Sequence, residues 1–131
     1  MLINCLAVGA GGFLGSAGRY LLSTAFASQN APFPWITLLI NFFGSFLIAA
    51  ITELSENWLP LSPRLLLFLR MGICGGFTTF STFSFETVRL FEDGKVLSGC
   101  GYAFLSVLLC LTGIVLGKLV IRFLRGLFHL V

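Results

Sequence analysis

The sequence predicts an all-α integral membrane protein of four transmembrane helices, with a break in the third. Three observations predict it. The 131-residue chain is 57% hydrophobic and only 10% charged, where soluble domains carry roughly 25% charged residues. Its mean hydropathy of +1.01 leaves too little polar surface to cover a body in water, so lipid is the solvent it suits. Apolar stretches of spanning length recur along it, separated by short segments marked by proline or charge.

A spanning helix needs about 20 mostly apolar residues. Span one is expected over residues 2–26. Ala25-Phe26-Ala27 has the small-x-small form of a signal cleavage site, but no basic residue opens the segment and Arg19 interrupts it, so a retained helix is expected. A loop over 28–34, with Pro32 and Pro34, follows. Span two covers 35–58, bracketed by Trp35 and Trp58 as interfacial anchors. After a loop over 59–64, span three runs over 65–91 and closes before Glu92-Asp93-Gly94-Lys95. Span four covers 96–121, and a basic tail with Arg122 and Arg125 follows. Residues 1–131 are thus expected to form one four-helix transmembrane unit, with no segment left for a soluble domain.

Four spans put both ends of the chain on one side. Arg64, Arg70, Lys118, Arg122 and Arg125 fall on or near that side, and Arg19, Arg89 and Lys95 on the other. This weak positive-inside bias permits insertion in both orientations, and so allows an antiparallel dimer. The net charge of +3 is too small and dispersed for a nucleic-acid footprint. Cys5, Cys74, Cys100 and Cys110 form no C-x-x-C pair, and His129 is the sole histidine. A zinc or iron–sulfur site needs clustered ligands, so the thiols are expected to act as small hydrophobes. No Ser/His/Asp set, paired carboxylates or nucleotide-binding G-x-x-x-x-G-K-[ST] loop is present, which argues against an enzyme.

Small residues let helix backbones approach closely in lipid. Span one carries Gly9, Gly11, Gly12, Gly15 and Gly18, with Gly11 and Gly15 as a GxxxG pair; span four carries Gly113 and Gly117. These are expected to pack against the chain itself and against a partner. Polar residues within spans face a partner, a cavity or a pore. Thr37, Asn41 and Ser45 recur every four residues on one face of span two, as do Tyr102, Ser106 and Cys110 on span four. Asn41 is placed either to hold neighbouring helices together or to donate to an anion. Ser106 has the alternative of bonding its own backbone four residues back.

Span three departs from an ordinary helix at Gly75-Gly76-Phe77-Thr78-Thr79-Phe80-Ser81-Thr82-Phe83-Ser84-Phe85-Glu86. Each glycine weakens a helix by about 1 kcal/mol relative to alanine, and hydroxyls can satisfy the backbone groups a break sets free. A break is expected near residues 75–79, where freed carbonyls suit cations and freed N–H groups suit anions. Phe80 and Phe83 share a face and are interleaved with hydroxyls. An aromatic ring is positive at its edge, so ring edges can touch an anion weakly enough to release it. Arg19 either snorkels to the interface or sets a positive field at a pore mouth. Glu86 either pairs with Arg89 or lines a pore.

On Gly11-Gly12-Phe13-Leu14-Gly15-Ser16-Ala17-Gly18-Arg19-Tyr20, Asn41-Phe42-Phe43-Gly44-Ser45-Phe46 and above all Gly75-Gly76-Phe77-Thr78-Thr79-Phe80-Ser81-Thr82-Phe83, the chain resembles the Fluc (CrcB) family of fluoride channels over essentially its whole length. The resemblance implies a dual-topology antiparallel homodimer in the cell membrane, with two pores that export fluoride passively. It implies a structural sodium ion at the dimer centre, held by the backbone carbonyls of Gly75 and Thr78 from both subunits. Phe80 and Phe83 would line each pore from opposite subunits, with Asn41 donating to fluoride and Ser106 on a polar track. Thr37, Thr79, Ser81, Thr82, Glu86 and Tyr102 are the further candidate pore residues, and Arg19 corresponds to a basic vestibule residue. The family's polar track often continues in Ser and Thr, whereas here Cys110 and Ile114 take those places.

Two other classes compete. A proton-coupled exporter of cationic drugs would also have four spans, but it needs an ionisable group in mid-membrane, and Glu53 and Glu86 lie toward helix ends. A non-transporting assembly subunit would use the same polar residues for packing alone.

Overall fold

The structure, a computed structural model, describes residues 1–26 and 33–128. Most of the expected loop over 28–34 and His129 lie outside the described residues. The described residues are mostly helical, with no strand among them. Helix α1 is Leu2–Ala25 and α2 is Trp35–Asn57. Helix α3 covers 63–77, α4 is Phe80–Glu92 and α5 is Val96–Phe128.

Local chemistry sets the boundaries. Pro63 occupies the first helical position of α3, and Ser62 Oγ accepts from Leu65 N at 3.3 Å, so the third span starts two residues before Leu65. The α4–α5 turn closes on Gly94, whose φ of +73° side chains disfavour. Lys95 N donates to Leu90 O at 2.9 Å and Gly94 N to Phe91 O at 3.0 Å, which satisfies carbonyls that the helix end leaves over. Helix α5 does not stop at 121. Arg122 donates Nε–H to Glu53 Oε1 at 2.8 Å and Arg125 donates to Asn57 O at 2.7 Å, so the basic tail continues as helix along the end of α2. The Glu53 carboxylate is nearly buried there and also accepts from Asn57 Nδ2.

Inside α3, Leu67–Cys74 is π-helical, with Gly75 N reaching back to Arg70 O. Widened turns of this kind concentrate at functional sites. The helix ends at Phe77, and extended Thr78 and Thr79 form the break. Gly75 and Gly76 lie in the last helical turn before the break.

The helices pack chiefly as two pairs, α1 against α3 and α2 against α5. Both pairs are built on backbone approach. A Cβ on Gly15 would collide with the Ile73 carbonyl, and one on Gly76 would stand 2.6 Å from Gly12 O. On the other pair, a Cβ on Gly113 would stand 2.9 Å from Phe42 O. Both GxxxG pairs therefore bury within the subunit. Large apolar side chains such as Phe13, Phe104 and Phe123 are largely exposed, which is tolerable in lipid and not in water. The segments Trp35–Asn57, Pro63–Glu92 and Val96–Phe128 are long and apolar enough to cross a membrane. Helix α1 has the length, 24 residues, but its glycines, Asn4 and Arg19 lower its hydropathy.

Candidate functional site

The break frees backbone groups, and most find specific partners. Asn41 on α2 meets Thr79 twice: its Oδ1 accepts from Thr79 N at 2.8 Å and its Nδ2 donates to Thr79 O at 3.1 Å. The Thr79 hydroxyl caps α4 by accepting from Thr82 N at 3.2 Å, donates to Thr82 Oγ1 at 3.0 Å and lies 3.3 Å from Ser81 Oγ. Thr78 N and Thr78 Oγ1 both donate to Cys74 O. From α1, Arg19 Nε donates to Gly76 O at 3.2 Å. Arg19 thus turns its Nε–H inward to the break. Among the described residues no donor meets the carbonyls of Gly75 and Thr78, and no acceptor meets the N–H groups of Phe80 and Ser81.

A cavity of about 430 Å³ opens between α2, the break and α5. It brings together Asn41, Gly75, Thr78, Thr79, Phe80, Phe83 and Ser106, with Ser45, Cys110 and Ile114. Two stripes separated by more than 60 residues in sequence meet here because α2 and α5 are packing partners. Phe80 and Phe83 stand 5.5 Å apart, centroid to centroid. Phe80 is 78% exposed at the cavity edge, while Phe83 packs on the Tyr102 ring at 5.3 Å.

Ser106 departs from a common habit of hydroxyls in these helices. Thr24, Thr52, Ser84, Thr87 and Thr112 each donate to the carbonyl four residues back. Ser106 is 5% exposed, and its Oγ has no partner among the described residues. The back-bonding alternative is not what it adopts.

Thr37, Glu86 and Tyr102 do not line this cavity. They form a second cluster beside it, in which Thr37 Oγ1 donates to Glu86 Oε1 at 2.9 Å and Tyr102 Oη donates to Glu86 Oε2 at 2.7 Å. Glu86 therefore does not pair with Arg89; the ion pairs among the described residues are Lys95–Asp93 and Arg122–Glu53. Two hydroxyl donors from other helices compensate the carboxylate better than an exposed Arg89 one turn along the same helix. Ser81 and Thr82 belong to the Thr79 hydroxyl network and not to the cavity wall. Two features escape a sequence reading: the Asn41 amide as a cap for the break, and Gly44, where a Cβ would strike Thr78 Cγ2. The i, i+3 spacing of Asn41 and Gly44 on one face was the available signal.

The family model described as CrcB-like protein, Camphor Resistance (CrcB), matches residues 6–118. The chain belongs to this family. A relative named fluoride-specific ion channel FluC, from Ruminiclostridium cellulolyticum, is 52% identical over 92% of this chain and 94% of its own. The protein of that name from Chlorobaculum tepidum is 47% identical over 88% of this chain and 95% of its own. The one from Clostridium novyi is 42% identical over 89% and 92%. The family is one of membrane ion channels and not of enzymes.

Proposed function

We propose that this chain is the subunit of a fluoride-selective channel that lets cytoplasmic fluoride leave passively, down its electrochemical gradient, and so relieves fluoride toxicity. The observation that carries this reading is the Ser106 hydroxyl, buried and without a partner in the wall of a largely apolar cavity. An unpaired donor in hydrocarbon is costly, and a small anion that accepts its hydrogen bond removes the cost. Fluoride binds water strongly, so its passage needs close donors to replace that water. Ser106, the second amide N–H of Asn41, the unpaired N–H group of Phe80 at the start of α4, and the ring edges of Phe80 and Phe83 supply them without a full positive charge. Thr37, Tyr102 and Glu86 would continue the path beyond Phe83, with Thr79 and Thr82 shaping its entrance. An inside-negative potential adds about 2.3 kcal/mol per charge per 100 mV, so no energy source is required.

The working unit is an antiparallel homodimer in the cell membrane, with all four helices of each subunit spanning the lipid. Gly75 and Phe80 line the cavity and are exposed, so its open side lies on the subunit surface, where a second copy can close it. A structural sodium ion fits the break: the Gly75 and Thr78 carbonyls are oxygen donors free of hydrogen bonds, and each subunit offers one pair. Its charge lowers the cost of an anion nearby.

The test is efflux from liposomes carrying the purified protein, with fluoride and chloride run in parallel. Fast release of fluoride alone supports the channel. No release from well-assembled protein sinks it.

A further inference from the structure

Five residues of α1 meet the break-bearing helix on one face: Gly11, Gly12, Gly15, Ser16 and Arg19. At Gly11 and Gly15 the two backbones come so close that a Cβ has no room, and Gly12 presents its backbone to Gly76. At the end of this stripe the half-buried Arg19 reaches across, and its Nε–H takes the Gly76 carbonyl at 3.2 Å. Ser16 Oγ stands 3.5 Å from the same oxygen, at the limit of bonding. In an unbroken helix Gly76 O would accept from Phe80 N, and the break removes that donor. A carbonyl left bare in a membrane is costly, and a charged donor is about twice as effective as a neutral one. The terminal guanidinium nitrogens make no hydrogen bond among the described residues.

We infer that Arg19 is a positioning residue: its Nε–H replaces the helical donor that Gly76 loses, and so keeps the third span broken at Thr78–Thr79. The two carbonyls on either side of this anchor in the break, Gly75 and Thr78, then stay unbonded, and α4 starts at Phe80. This is a different task from presenting a positive charge to an aqueous mouth. It needs a donor at one position along the side chain, whereas a field needs only a charge. The consequence for transport rests on the channel reading above; the consequence for the break does not.

Glutamine and lysine separate the two tasks. In Arg19→Gln the amide nitrogen lies as many bonds from Cα as Arg Nε does, with no charge. In Arg19→Lys the charge stays, and a methylene takes the bonding position. Positioning predicts that R19Q keeps faster amide exchange at Phe80 and Ser81, whose N–H groups an unbroken helix would bond, than R19K, and efflux at least roughly threefold faster, with R19K down about tenfold or more from the native protein. A field role predicts the reverse order, and R19K matching or exceeding R19Q in both readouts overturns the inference. Should neither variant assemble, solid-state NMR on the native protein decides. A dipolar cross-peak between Arg 15Nε and Gly 13C′ at bonding distance is expected, and its absence overturns the inference. If the native protein passes no fluoride, the channel reading fails, while the cross-peak and the exchange order still judge this one.

Discussion

Asn41→Ala tests whether the break is a built feature or a loose one. The substitution removes two hydrogen bonds to Thr79, at 2.8 and 3.1 Å, and leaves Thr79 N–H without an acceptor. Each bond contributes about 1 kcal/mol net, and an unsatisfied buried donor costs about 1–3 kcal/mol more. The sum is roughly 3–5 kcal/mol for a fully buried site. The cavity beside Thr79 is open, so water can reach the orphaned N–H, and about 2 kcal/mol for the two lost bonds remains. At about 1.4 kcal/mol per decade, the formed break becomes roughly 30-fold less favoured against a collapsed span. The assay pairs the thermal midpoint of the purified protein with amide exchange at Thr79 and with fluoride efflux. Midpoint and efflux should fall while exchange at Thr79 quickens. Asn41→Asp keeps the acceptor for Thr79 N but sets a carboxylate oxygen against Thr79 O, so it should restore none of the loss. An Asn41→Ala protein with native midpoint, native exchange and native efflux would refute the idea that this amide holds the break.

Three further outcomes are expected. Ser106→Ala deletes a buried hydroxyl that makes no hydrogen bond among the described residues, so stability should not fall while efflux falls roughly tenfold, about 1.4 kcal/mol on the barrier; a stability loss with native efflux would make Ser106 a packing residue. Phe80→Ile alters a ring that is 78% exposed in the subunit, so assembly should hold and efflux drop about tenfold; native rates in intact dimers would rule out the ring-edge role. Replacing sodium with N-methyl-D-glucamine should destabilise the protein, by about 2.7 kcal/mol where sodium had stood near 100 times its dissociation constant, and equal midpoints in the two salts would remove the ion from the account.

Much of this arrangement was legible because membrane sequences have few polar residues to place. The stripes 37–41–45 and 102–106–110 follow from helical periodicity alone, and the hydroxyl-rich run after Gly75-Gly76 marked a break. Periodicity fixes a face but not its partner. That Gly11 and Gly15 meet α3 while Gly113 and Gly117 meet α2 depends on a pairing of helices that no local pattern carries. A third small-residue pair, Gly72 and Gly76, was hidden because Gly76 stood in the Gly75-Gly76 run read as a helix breaker. The π-helical stretch was invisible, since i→i+5 and i→i+4 bonding leave the same composition. Arg122 and Arg125 read as the end of a span because charge ordinarily marks an interface. Glu53 and the Asn57 carbonyl, more than 60 residues upstream, let the helix run on.

The break's polar groups fall into two sets, and the division is informative. Those that hold the backbone are satisfied: Thr79 N and O by Asn41, Gly76 O by Arg19, Thr82 N by Thr79. Those that remain unpaired among the described residues are of both signs. Carbonyls of Gly75 and Thr78 lie at the C-terminal end of α3, and N–H groups of Phe80 and Ser81 at the N-terminal end of α4. A helix carries partial negative charge at its end and partial positive charge at its start, so cutting one span in two sets both poles side by side in the membrane. On the proposed reading this is why one short break can serve a cation and an anion together. The carbonyl side suits a fixed sodium and the N–H side a passing fluoride. The attraction between the two ions lowers the cost of each in a medium of low dielectric constant. An unbroken third helix would hold all these groups in its own hydrogen bonds and offer neither ion a place.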